Sequence, residues 1–506
     1  MAFAMDYGPN LIYIGTIDNI GFLVVSMNLK KWFLLATMAF ALGACGDDSS
    51  TGTKPSSGDN PDNPGSSGSQ DPNNPSSSDF DWDLPNDPSN LWSGAGTEES
   101  PYELKSEEDL LALAEEVNGK SVNFKGIVFK LTADISLSKK WTPIGCVKGL
   151  SNRTFGGTFD GGDHTIKGLS IDDTASYAGL FGYVNGEADK KAVIRNIKVD
   201  GASIKAGSYI GMLFGKAENA EIKNVTVSGT VAGTDFVGGL GGSLSNGTVE
   251  TAAVSGTVQG AGSVSGVVAT AITSKIVGAN NASAVTGKST VAGIVATLSM
   301  KSSVELCVNK GNIAGTQDVA GVVSKASETT VKQSGNEGAV TGEDNNMSSV
   351  GGVVAVGSNS AVLEQVYNVG TVTGKTAIGV GGIAGKFVTD ASMTHAFNQG
   401  QVIAEGSTNV GGLIGKAETC KISAAYNAGV VSPITNAASV AGAHLSTSET
   451  SAVYYDAATK VAPTEIGEAS EVMKTADFLA LLNAVGNVWA MDGGKYAGFP
   501  YFAWMN

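Results

Sequence analysis

The 506-residue chain is predicted to be all-β: a parallel β-helix (β-solenoid) of about ten coils, with small helix-containing caps at its N- and C-terminal ends. Three observations predict this. First, a glycine-rich phrase recurs, as in "VGGLGG" from Val237, "VGGIAGK" from Val380 and "VGGLIGK" from Val410. The residues after its leading aromatic or β-branched position are Ala178, Gly211, Gly238, Ser265, Ala292, Ala320, Gly351, Gly381, Gly411 and Ala441, spaced 33, 27, 27, 27, 28, 31, 30, 30 and 30. Second, an Asn-x-Gly phrase begins at Asn309, Asn336, Asn368, Asn398 and Asn427, 16 or 17 residues after its anchor, and Val227 and Val254 hold that slot in earlier copies. Third, the apolar runs between these phrases are rich in Val and Ile and too short to be helices.

A unit of two or three such strands cannot close a core by itself. Stacked as coils, each strand pairs with its copies above and below, about 4.8 Å away, so ten coils make a rod of roughly 50 Å. Asn in one column can hydrogen-bond to its copies along the stack, and Gly permits positive φ at corners. Tyr367, Phe397 and Tyr426 fall in one further column and are expected to stack there as structural rings.

Taken from the N-terminus, residues 1–26 read as the product of a mis-set start codon, with Met27 the true initiator. Residues 27–45, "MNLKKWFLLATMAFALGAC", have two lysines and a short apolar run, the layout of a secretory signal. The run is short for a membrane span. Its ending, Leu42-Gly43-Ala44-Cys45, resembles the lipobox of bacterial lipoproteins, with Leu at minus three and small residues before the Cys. That resemblance implies a signal peptide over 27–44, a covalent lipid on Cys45, and attachment to a membrane of the cell envelope, at the outer membrane or cell surface.

Residues 46–90 hold nine Asp, one Lys and almost nothing apolar. Such a tract cannot bury enough surface to offset its ordering entropy and is predicted to be a disordered tether over 45–90. Asp79, Asp81 and Asp83 have the spacing of a calcium loop, but Leu84 and Asn90 stand where its Gly and Glu belong, so a solvated linker is expected. The net charge of −16 disfavours nucleic acid, which needs a basic stripe.

Residues 91–175 form a non-repeating N-terminal cap module. "SEEDLLALAEEVNG" predicts a helix capped by Ser106 with Asp109 three residues on, apolar at Leu110, Leu113, Ala114 and Val117 and stopped by Gly119. Short β segments follow. The repeats occupy 176–460, and 461–506 form a C-terminal cap whose Trp489, Phe499, Tyr501 and Trp504 are expected to plug the last coil.

"VGGLGG", "VGGIAGK" and "VGGLIGK", each followed by an Asn-x-Gly turn and a Val-x-Gly strand, resemble GLUG-motif repeats. "GTEESPYELKSEEDLLALAEEVN" with "GTFDGGDHTIKGL" resembles the module that often precedes them, and "NVWAMDGGKYAGFPYFAW" resembles their closing segment. The resemblance implies a bacterial surface protein, often a lipoprotein or adhesin, on a parallel β-helix. Copies from 265 to 325 depart from the motif, with Ser265, Ala292 and Ala320 in place of Gly, and put a strict corner geometry in doubt there.

Such repeats also occur in IgA-cleaving zinc metallopeptidases. Their His-Glu-x-x-His pattern is absent here: the histidines, His164, His395 and His444, have no partner at ligand spacing and are expected in turns or at the surface. Parallel β-helices also carry polysaccharide lyases and glycoside hydrolases, so paired carboxylates matter. Glu305, Gln333 and Glu364 all lie thirteen residues after their anchors, which sets the two Glu two coils apart, nearly 10 Å, the outer limit for an inverting pair, with no Arg or Lys in the column. Asp160 and Asp163 suit turns. Cys307 and Cys420 lie four coils apart, roughly 19 Å, beyond disulfide reach, and are expected to be free thiols.

The function these residues predict is that of a lipid-anchored cell-envelope protein. It is expected to be a monomer, to bind a polysaccharide or a host or matrix protein as an adhesin, and to use no metal, no cofactor beyond the lipid and no catalysis. A carbohydrate-active enzyme using Glu305 and Glu364 is the alternative, and a structural spacer the third.

Overall fold

In the computed structural model the described residues are 6–7, 10–13, 25–26 and 90–506, except 149–150, 344–346, 433–436, 445–447 and 460–465. Cys45, the tether and its Asp79, Asp81 and Asp83 lie outside them. Asp6–Tyr7 pairs antiparallel with Asn10–Tyr13, which pairs antiparallel with Val25–Ser26, in a unit separate from the rest.

The second unit is a parallel β-solenoid with three faces. The broad face is one 25-stranded sheet, the second face has nine strands and the third has ten. One coil runs Gly241–Ser245 on the third face, Thr248–Gln259 on the broad face and Ser263–Ser265 on the second. Each coil pairs in parallel with the next on all three faces, as in Ser243↔Thr270, Val254↔Asn281 and Val264↔Val291.

The solenoid has about 12 turns rather than ten. The extra turns come from the module expected to act only as a cap. Tyr102, Phe129 and Phe159 already stack in register on the broad face and lead to Ile194 in the first repeat. That module lacks the glycine phrase, yet stacking needs only an apolar inward column, and fully buried Phe129, Phe155 and Phe159 supply it.

Two of the ten anchors are displaced. Ala178 faces Ile210, and Gly411 faces Ala438 rather than Ala441. The last copy reads "AASVAG" from Ala437, so most of its glycines are gone and the following "VAGAH" imitates the phrase.

The asparagines form the ladder the sequence predicts. Nδ2 of Asn309, Asn336, Asn368 and Asn398 donates to Oδ1 of the next asparagine at 2.7–2.8 Å, and Asn281 begins the ladder at 2.7 Å from Asn309. The second amide hydrogen goes to the carbonyl two residues on, as from Asn368 to Gly370 at 2.8 Å. Both buried donors are thereby satisfied.

This ladder explains why the two phrases recur together. A Cβ on Gly352, Gly382 or Gly412 would lie 2.0–2.2 Å from a carbonyl oxygen of the next coil and 2.3–2.4 Å from the side chain of Asn368, Asn398 or Asn427. The last glycine of the phrase answers a different neighbour: a Cβ on Gly385, Gly415 or Gly442 would lie 2.2–2.6 Å from the backbone nitrogen of Val350, Val380 or Val410. In the drifted copies that position is held by buried Ala269, Ala296 or Ser324, and the Ser324 hydroxyl donates to the adjacent Asp318 carbonyl at 2.7 Å. The corner persists there with the smallest side chains.

Helix α1, Glu107–Asn118, starts at the predicted capping box: the Asp109 N–H donates to Ser106 Oγ at 3.2 Å and the Ser106 N–H donates to Asp109 Oδ2 at 3.1 Å. Its buried Leu110, Leu113, Ala114 and Val117 join one apolar core with Trp92, Leu104 and Phe129. This covers the first coil.

The C-terminal segment does not plug the last coil. It carries α2 (Ser470–Met473) and α3 (Ala476–Asn483) and packs against the side of the broad face. There Tyr367, Phe397 and Tyr426 stack with centroids 5.5 Å apart, and Tyr454 follows in register. Trp504 meets Tyr367 at 6.1 Å, Phe502 meets Phe397 at 5.3 Å and Phe478 meets Tyr454 at 5.2 Å. The segment thus clasps successive coils along their aromatic column. The column is structural, as expected, and an apolar lateral surface is what recruits the segment.

Candidate functional site

The predicted carboxylate pair is not arranged as the offsets imply. Glu305 faces Lys332, and Lys332 faces Glu364, so a lysine stands between them in the column that was expected to hold no base. The turn before Glu305 has two left-handed residues, Met300 and Lys301, where the next coil has one, Glu328. That extra residue shifts the count by one. Gln333 instead takes the left-handed column with Leu306 and Gln365. The Lys332 ammonium lies 2.9 Å from Glu364 Oε1, and Lys275 lies 3.0 Å from Glu305 Oε2. The column extends upstream through Asp160, Arg195, Lys223 and Glu250. The column carries charges of both signs, with Arg195 beside Lys223 and Val277 between Glu250 and Glu305, and its opposite-sign neighbours make it an interrupted cross-strand ion ladder.

Asp160, expected in a turn, instead ends the strand Thr158–Asp160 and follows Glu103 and Lys130 in that column. It accepts from the Gly162 N–H at 2.9 Å, from Arg195 Nε at 2.9 Å and from Asn196 Nδ2 at 3.1 Å. Burial pushes its carboxyl up, but these donors outweigh it and hold the carboxyl below the usual range. Asp163 is a left-handed turn residue, as predicted.

The histidines divide. His164 is partly exposed, with Nδ1 3.3 Å from Asp134 Oδ1. His444 ends a strand of the third face. His395 departs from the surface reading: it is buried, left-handed, 6.2 Å from the Trp489 ring, and neither ring nitrogen has a hydrogen-bond partner. Burial lowers its pKa, opposed by Glu364. Cys307 and Cys420 are buried thiols outside any disulfide, and burial pushes Cys307 up to about 12. Among the described residues no three His, Cys, Asp or Glu side chains gather as a metal-ligand set, and no helix is long and apolar enough to cross a membrane.

A surface feature that the sequence reading missed lies where the second and third faces meet. Asp318, buried just before the second-face strand Val319–Ala320, pairs at 3.2 Å with the half-exposed Lys325 on the third face, so residues seven apart in one coil meet across this corner. In register with that pair, the seam reads Tyr209 with Lys216, Phe236 with Ser243, Ser263 with Thr270, and Thr290 with Thr297, before Asp318 with Lys325. Towards the C-terminus it continues with Lys386 and Lys416 on the third face.

The aromatic end of the seam is unlike the buried column under the C-terminal segment. Tyr177, Tyr209 and Phe236 are half-buried, and their rings stack at 5.0 and 4.6 Å with interplanar angles of 2° and 10°. All three backbones are left-handed, with φ of 67°, 59° and 50°, which is costly for bulky residues and concentrates at functional positions. Tyr183 extends the stack at 6.1 Å from Tyr177, and its hydroxyl bonds Glu218. Lys216 is engaged at 2.9 Å by Glu218 and lies 4.8 Å from the Tyr183 ring centroid. Burial, then Glu218, raises the Tyr183 hydroxyl pKa, so it stays protonated. The signal in the sequence is the ring just before the glycine phrase in "SYAG", "SYIG" and "DFVG".

No protein-family model matches the chain. Over 155 residues it is 36% identical to halomucin of Haloquadratum walsbyi, a match covering 29% of this chain and 2% of that much longer protein. Among solved structures, an immunoglobulin A1 protease assigned in Bacteroides ovatus aligns at TM-score 0.29 and 16% identity, over 82% of this chain and 96% of that one. An IgA1 protease aligns at TM-score 0.29 and 13% identity, over 73% of this chain and 23% of that one. At those scores the two alignments say nothing about activity, and the chain's own geometry is that of a repeat β-solenoid.

Proposed function

We propose that the chain is a surface-presenting solenoid of the cell envelope, lipid-anchored through Cys45, that binds a glycan or a matrix protein without catalysing a reaction. The observation that carries this reading is the seam. The interior columns repeat Val, Asn and Gly from coil to coil, whereas the seam changes from aromatic to hydroxyl to charged along the rod. Variation confined to an outward line is what a binding surface needs, since the core is fully used in holding the coils together. The GLUG-like phrases and the short match to halomucin fit a surface protein.

Protease shaving of intact cells tests it. Fragments of residues 91–506 released from unbroken cells, and loss of cell-associated chain in a Cys45→Ala strain, are the expected results. Resistance of intact cells, with cleavage only after lysis, overturns it. The carbohydrate-active alternative predicts released reducing ends or unsaturated sugars that Glu305→Gln abolishes; the ion ladder predicts no such loss.

A further inference from the structure

We infer that the aromatic half of the seam is a subsite for a neutral glycan, with one pyranose ring stacked on the open face of Phe236. This rests on the surface-presentation reading and deepens it. The rings of Tyr177, Tyr209 and Phe236 repeat along the axis, and the next residue in the column is Ser263. Ser263 reaches only one heavy atom beyond Cβ, so the stack ends there in a step one rung, about 4.8 Å, deep. The Phe236 face that a fourth ring would cover therefore borders the step.

The groups beyond the ring suit a sugar. Ser263 and Thr290 on one side of the seam and Ser243, Thr270 and Thr297 on the other supply hydroxyls one rung apart. None of these hydroxyls has a hydrogen-bond partner among the described residues, and none is sealed from solvent, so each is open to a ligand. A polyhydroxylated ligand would pair them in place of water. Asp235, before Phe236, accepts the N–H groups of Phe236 and Ser263 through Oδ1, at 2.8 and 2.7 Å, and leaves Oδ2 for a sugar hydroxyl.

Charge selects the class of glycan. The two lysines that flank this stretch within the seam, Lys216 and Lys325, are engaged by Glu218 and Asp318. With a net charge of −16 the chain also repels polyanions. A neutral chain of pyranoses matches a flat apolar face followed by uncharged donors and acceptors, since a sugar presents C–H groups on its face and hydroxyls at its rim.

The test is binding of the purified chain to neutral polysaccharides (β-glucan, xylan, mannan, galactan) by affinity electrophoresis and calorimetry. Two variants are compared: Phe236→Ala, which removes the platform, and Ser263→Tyr, which continues the stack into the step. Binding of at least one neutral glycan is expected, weakened tenfold or more by both variants with thermal midpoints within a few degrees of the parent. No neutral glycan bound, binding unmoved by both variants, or binding only of sulfated or uronate polymers or of a matrix protein overturns the inference. Shaving separates the two readings: displayed chains that bind no neutral glycan sink this subsite alone, whereas failure to be displayed sinks the surface reading.

Discussion

Asn398 shows how much one side chain carries. It donates to Gly400 O and to Asn427, both at 2.8 Å, and accepts from Asn368 at 2.8 Å and from the Gly400 N–H at 3.2 Å. Asn398→Ala strips partners from two buried neighbouring amides and is expected to cost about 3 kcal/mol, read as a lower urea midpoint. Gly382→Ala puts a Cβ 2.2 Å from Gly412 O and 2.3 Å from the Asn398 Cγ, and is expected to be destabilising too. Removing the Asn398 side chain relieves only the second of these contacts, so the double variant should lose less than the sum of the singles while remaining less stable than Asn398→Ala alone. Strict additivity would refute the link between the two phrases. A second residue-scale prediction concerns the thiols. Iodoacetamide mapped by mass spectrometry should leave Cys307 and Cys420 unmodified in the native chain and label both in urea, because burial raises both thiols and blocks the reagent.

At the scale of elements, the C-terminal segment is held by an interface with a titratable group inside it. His395 faces Trp489 and Gly486 of that segment, and burial keeps its imidazole neutral. Its pKa when docked is below the ordinary value near 6.5, so the undocked form takes up a proton first as the pH falls. Docking is therefore fully stable above about pH 6.5, weakens progressively below it, and stops weakening below the docked pKa. Hydrogen-exchange protection factors at Trp489–Ala490 and Tyr501–Phe502, taken after correction for the intrinsic slowing of exchange in acid, should fall as the pH drops from 7.5 to 5, and His395→Gln should flatten that fall. An unchanged profile in the variant would assign the effect to other groups. The ion ladder belongs to this scale as well. Glu305→Gln and Glu364→Gln break half-exposed pairs and are each expected to cost at most about 1 kcal/mol.

For the whole molecule, parallel stacking makes the coil the unit of stability. Deleting residues 266–292, one coil of 27, joins Ser265 to Gly293 and brings Asn309 over Val254, as Asn281 lies over it now. That protein is expected to fold with the parent's circular dichroism and a modestly lower thermal midpoint, whereas deleting half as many residues should prevent folding. Most of the architecture was legible in advance. The period, the asparagine ladder, the capped helix and the stacked rings all follow from residues that recur at one spacing and are chemically alike. What was illegible turned on small differences in turn length. One added left-handed residue at Met300–Lys301 moved Lys332 into the glutamate column, and lost glycines at Ala437–Ala438 hid the last anchor.

The sequence alone determined that coils would stack in parallel and which residues line their interior, because each coil must repeat its neighbour to satisfy its backbone and fill its core. Only the tertiary structure decided which outward side chains meet. Tyr209, Phe236 and Ser263 come from successive coils, and Asp318 meets Lys325 across a corner. Those neighbours are set by register and by the closeness of two faces, and neither leaves a local pattern in the chain. The C-terminal segment follows the same logic. Its apolar residues predicted burial, but the choice between the end of the rod and its side was made by the unpaired flank of the Tyr367–Phe397–Tyr426 column.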